Sequence, residues 1–113
     1  LEHREFLLSA VDSYETATEV FVHASLEPGI PLGEQLETWL RWTRFTGLEQ
    51  PLPTRQRVIS GHTPQSSGLP ARSRGWVCID TFVYGTGWLT CLDVLTDEFY
   101  QADEQRRYRT GQL

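Results

Sequence analysis

Two apolar runs in this chain stop at a histidine. VFVH at 20–23 passes into the polar turn Ser25-Leu26-Glu27-Pro28-Gly29, and RVIS at 57–60 ends in Gly61-His62-Thr63-Pro64. Runs this short, rich in β-branched and aromatic residues and closed by Gly and Pro, read as buried strands. Proline has no N–H for a ladder, so the second strand cannot continue past the histidine. Both imidazoles are therefore expected at strand ends.

The remaining elements are read around these two strands. In EHREFLLSAVD at 2–12, Phe6, Leu7, Ala10 and Val11 form one apolar helical face. After Pro31, the apolar positions Leu32, Leu36, Trp39, Leu40 and Phe45 recur at helical spacing, giving a second helix that carries Arg41 and Arg44. LEQPLPTRQ at 48–56 contains Pro51 and Pro53 and reads as a loop. Three further strands follow, WVCID at 76–80, GWLTCLDVL at 87–95 and EFYQA at 98–102, the last two joined through Thr96-Asp97. The polar tail EQRRYRTGQL is expected to fray. The order helix, strand, helix, strand, then meander predicts one α/β domain over 1–113 with its site at strand ends.

Composition narrows the chemistry. Fifteen acidic against ten basic residues give a formal charge of −5, which disfavours phosphate neutralisation and so argues against nucleic acid as a partner. All ten basic residues are arginine, so neither a P-loop lysine nor a Schiff base is available. With no long apolar stretch, no membrane partner is expected. Cys78 and Cys91 are too widely spaced for a zinc ribbon or a CxxC site and read as buried thiols in a reducing cytosol. The chain begins at Leu1 and contains no Met, and is read as a piece of a longer protein. The four tryptophans are assigned to packing, and Gly85-Thr86-Gly87 lacks the third glycine and following helix of a dinucleotide fingerprint.

A neutral imidazole is a common ligand for Zn, Mn, Fe and Ni. His23 and His62 lie 39 residues apart, which excludes a local HxxxH motif. A lone histidine in such a place most often satisfies a core hydrogen bond; two in matched contexts make a shared metal ligand set the competing reading.

FVHASLEPGIPLGEQ at 21–35, LRWTRF at 40–45, VISGHTPQ at 58–65 and CIDTFVYGTGWLTCLDV at 78–94 resemble, in order and spacing, the C-terminal half of the calcineurin-like metallophosphoesterases. The nearest likeness is to bacterial serine/threonine phosphatases of the PPP type. That resemblance implies the C-terminal half of a β-sandwich flanked by helices. His23 and His62 would then be metal ligands, and Arg44 a substrate phosphate ligand, with Arg41 the weaker candidate. Asp80 and Tyr84 would line the site, unless Asp80 holds a turn and Tyr84 is a packed aromatic. Ser25 stands where the family has a glycine.

The intact family uses two divalent ions, Mn, Fe or Zn, on a phosphoprotein or small phosphoester substrate. Its motifs GDxHG, GDxxDRG and GNHE are absent from this chain, and with them the catalytic histidine. The resemblance therefore implies a cytoplasmic half-domain that holds at most one ion weakly, contains no catalytic residue of its own, and pairs with the missing half or with itself. A non-catalytic assembly module is the alternative reading.

Overall fold

The structure is a computed structural model that describes all 113 residues. Nine strands form two sheets, and helices are few. Sheet A has the order β1 (Ser13–Glu15), β2 (Glu19–Val22), β3 (Arg57–Ser60), β5 (Trp76–Cys78), β4 (Ala71–Ser73). Sheet B is β6 (Asp80–Thr81), β7 (Trp88–Leu92), β8 (Glu98–Ala102) and β9 (Tyr108–Gln112), antiparallel throughout. The result is a mixed α/β arrangement with two sheets.

Strands β2, β3 and β5 run parallel at the centre of sheet A, while β1 and β4 pair antiparallel at its edges. Parallel neighbours need long crossovers. The first, between β2 and β3, contains the 3₁₀ turn Leu32–Glu34 and helix α2 (Glu37–Trp42). The second contains the GHTPQ turn and the β4–β5 hairpin, whose two-residue connection Arg74-Gly75 has positive φ at both positions.

Because side chains alternate across a strand, the register Val20↔Val58↔Trp76 places three apolar residues in one row across the sheet. Val22, Leu26 and Leu40 complete this buried core, with Leu32, Phe45 and Leu52 packed at its rim. Trp76 also donates from its indole Nε1 to the Gln50 carbonyl at 2.9 Å. On the opposite face, Arg57 joins the two sheets: its guanidinium donates to Asp97 Oδ1 at 2.6 Å and to the Val94 carbonyl at 2.9 Å, with Glu19 Oε2 3.6 Å away. Thr81, Thr90 and Gln101 form a buried polar seam inside sheet B, and Gln101 Nε2 donates to both Thr90 Oγ1 and the Gly68 carbonyl at 2.8 Å.

Several elements differ from the sequence-based expectation. The run at 76–80 divides at Ile79 between the two sheets, and the expected tail is the five-residue strand β9. The single helix expected after Pro31 is interrupted, since Gln35 is extended and its side chain binds the backbone of Glu27 and Ile30. Helix α1 (Glu2–Leu8) buries none of its residues. Cys91 is exposed, and only Cys78 is a buried thiol. Of the tryptophans, Trp76 is 1% exposed whereas Trp42 is 68% exposed.

This contrast predicts unequal costs of truncation. Trp76→Ala should destabilise the fold by about 3–5 kcal/mol through the lost row and its cavity, whereas Trp42→Ala should stay within about 0.5 kcal/mol. Urea unfolding of both variants checks this.

Candidate metal centre

The site begins with the ladder between β2 and β3. Parallel pairing ends both strands at the same edge of sheet A, and Gly61 N–H donates to the His23 carbonyl at 2.8 Å, extending the pairing one step beyond the strands. The next residue, His62, adopts the left-handed conformation with φ 66°. For an L-residue this costs roughly 1–2 kcal/mol, and such strain persists only where surrounding contacts over-determine it. Its consequence is to bring His62 Nδ1 to 3.1 Å from His23 Nε2. The rings meet at 62° with centroids 5.0 Å apart, and Trp42 lies edge-on to His62 at 5.9 Å.

The segment after β2 fixes the other wall. Ala24 and Ser25 N–H donate to the Leu40 and Trp39 carbonyls at 2.8 and 3.1 Å, so α2 is tied directly beside His23. Ser25 is 2% exposed and fully enclosed beside α2. A cleft of about 560 Å³ is lined by His23, His62, Trp42, Arg41, Asp12 and the apolar end of α1. Arg41 is bound on both sides, to Asp12 and to Glu37 at 2.7 Å each, so its charge is already matched within the chain.

The other sequence-derived candidates occupy different positions. Arg44 is exposed and lines a separate hollow with Trp39, Thr46 and Glu49, away from the histidine cleft. The helix explains this: α2 ends at Trp42 and Thr43 is extended, so Arg41 and Arg44 do not share a helical face. Asp80 lies at the start of β6, where its Oδ1 accepts from Phe82 N–H at 3.2 Å and its carbonyl accepts from Gln65 N–H at 2.8 Å. Its carboxylate still acts on His23 electrostatically. Tyr84 is 67% exposed and packs edge-on against Phe82 at 4.8 Å. Two cleft residues carry no sequence signal for this place: Asp12 lies in no motif, and Trp42 reads as a packing residue but is exposed beside His62.

The two imidazole nitrogens are the only pair of metal-ligand atoms that the candidate residues bring together. Two bonds of about 2.1 Å to a single zinc-like ion, at angles between square and tetrahedral, would place the nitrogens roughly 3.0–3.4 Å apart. The observed 3.1 Å falls in that span and is also a hydrogen-bond length. No third His, Cys, Asp or Glu joins the pair in a metal-holding group.

No protein-family model, curated protein or solved structure matches the chain.

Partial desolvation lowers the pKa of His23 below its ordinary 6.5; the His62 imidazole and Arg41 push it the same way, and Asp80 opposes them. Burial pushes the Cys78 thiol up, which keeps it protonated at neutral pH. For a histidine lowered on folding, the unfolded chain binds the proton more readily, so stability rises with pH across the window between the two values. In metal-free buffer, unfolding free energy should therefore decline as pH falls below about 6.5 and level off once the folded His23 is protonated. His23→Gln should remove that portion of the slope in urea titrations run at successive pH values.

Proposed function

We propose that this chain supplies one limb of a metal-dependent phosphoester hydrolase. His23 and His62 would hold a divalent ion, and the remaining ligands would come from a complementary half. The observation that carries this reading is the convergence of two imidazole nitrogens at 3.1 Å, at the ends of adjacent parallel strands, beside a cleft that contains a guanidinium. An ion held there would lower the pKa of bound water and polarise a phosphoryl oxygen. The protein's own part is to present both imidazoles unprotonated, a state favoured at His23 by its lowered pKa, and to flank them with Trp42 and Arg41. Serine/threonine phosphatase chemistry, Mn or Fe as alternatives to Zn, and a phosphoprotein substrate belong to the proposal through the motif resemblance alone.

Phosphate would be met by a guanidinium of the 41–44 segment, whose planar fork suits paired bonds to phosphate oxygens. Arg41 stands in the cleft but is ion-paired, and Arg44 is free of ion pairs but stands outside it. With complementary half supplied, Arg41→Ala and Arg44→Ala separate the two by their effect on kcat/KM at unchanged metal content.

A second reading, a non-catalytic assembly module, is favoured by exposed apolar surface. Phe6, Leu7, Leu8 and Val11 are 68–77% exposed, and only 19 of 113 residues are buried. The radius of gyration is 14.3 Å, against about 13 Å for a well-packed domain of similar length. Apolar surface left uncovered in this way promotes association.

The isolated chain should bind Zn²⁺ or Mn²⁺ weakly in calorimetry, and His62→Ala should abolish the binding. It should give no turnover of p-nitrophenyl phosphate with excess manganese, because a clamp of two ions cannot form. Absence of metal binding in the unaltered chain would remove the hydrolase reading. A monomer in light scattering at high concentration would remove the assembly reading.

A further inference from the structure

The left-handed backbone of His62 must be held from outside the turn, and the contacts that do so converge on its two neighbours. Thr63 N–H closes on the Gly61 carbonyl at 2.7 Å, and Thr63 Oγ1 accepts from Phe45 N–H at 2.8 Å. These two bonds shape the turn from inside and from the α2 side. What fixes it relative to sheet B is Gln65. Its N–H donates to the Asp80 carbonyl at 2.8 Å, its carbonyl accepts from Gly68 N–H at 3.0 Å, and its side-chain Nε2 donates back to the Thr63 carbonyl at 2.9 Å. The same amide lies 3.8 Å from Cys78 Sγ, and that fully buried thiol faces the carbonyls on both sides of His62, Thr63 at 3.4 Å and Gly61 at 3.7 Å.

We propose that Gln65 is a positioning residue for His62, gripping the Thr63 carbonyl so that the imidazole stays against His23, with Cys78 as the buried stop beneath the turn. Gln65 touches neither imidazole; it acts through the Thr63–Pro64 peptide, one residue beyond His62. The arrangement needs a side chain that carries a donor and is long enough to fold back two residues, and Gln65 provides both at a partly exposed position. Removing the donor leaves the Thr63 carbonyl with only the weak thiol contact, since S–H is a poor donor. The turn is then held only by its remaining backbone bonds and the Phe45 contact, and His62 gains room to relax toward negative φ, which turns its ring away from His23. The functional weight of this grip rests on the reading of the histidine pair as a metal site; the geometric part does not.

The experiment uses the 113-residue chain, unaltered and as Gln65→Met, which keeps the side-chain length and removes the donor. Two quantities are read: the NOE between the His23 and His62 ring protons in metal-free protein, and Zn²⁺ affinity by calorimetry. The expected result is a weakened ring-to-ring NOE and a loss of about tenfold or more in Zn²⁺ affinity, the usual scale for groups that orient metal ligands, with little change in thermal midpoint. An unchanged NOE together with unchanged affinity overturns the proposal. If Gln65→Met fails to fold, Cys78→Ser and Cys78→Ala replace it: the serine variant should keep the NOE and the alanine variant weaken it, and equal NOEs in the two overturn the proposal. If the unaltered chain takes up no Zn²⁺, the hydrolase reading fails, while the NOE still decides the role of Gln65.

Discussion

Everything at the candidate site depends on the parallel pairing of β2 with β3. An antiparallel partner would have carried the second histidine to the opposite end of the sheet. Pairing Phe21 with Ile59 in parallel instead makes both strands finish together. A row of Val20, Val58 and Trp76 beneath the ladder fixes the register, and a one-residue slip would turn that row out of the core. The hydrophobic core and the imidazole pair are consequences of one register choice.

The strain at the candidate site lies at the histidine and not at the glycine beside it. His62 bears the left-handed backbone, while Gly61, which could adopt it without penalty, does not. Phe82, in the turn between β6 and β7, is another non-glycine residue with this backbone, at φ 68°. In that turn a Cβ on Gly87 would collide with the Thr81 carbonyl, so the close backbone approach demands glycine at 87. Beside His62, a Cβ on Gly61 would meet only ordinary contacts, the nearest the His23 carbonyl at 3.5 Å, and the turn is bridged by hydrogen bonds from several segments.

The central strands were legible in the sequence because their two-sided burial demands β-branched and aromatic residues. Strands β1, β4 and β9, reading SYE, ARS and YRTGQ, were not, because each lies at a sheet edge with one side open to water and needs no apolar run. The tail in particular looked polar enough to fray, yet its register against β8 places Arg109 beside Gln101 and over the Trp88 ring, contacts that no local pattern encodes. The histidine pair could be suspected from two matched contexts but not located, since 39 residues separate its members. Arg41 and Arg44 could not be told apart because helical periodicity does not reveal where α2 stops. The Asp12–Arg41 ion pair, which reaches across 29 residues to anchor the segment after α1, left no sequence signal at all.

Between β5 and β6 the chain passes from one sheet to the other with a single residue, Ile79, whose N–H still belongs to the ladder of β3. Cys78 and Asp80 on either side of it therefore cannot move independently. One residue inserted beside Ile79 would shift the chain entering sheet B by half a strand period and separate the thiol from the turn it supports. The shortest connection in the molecule is thus the one where an insertion is least tolerable.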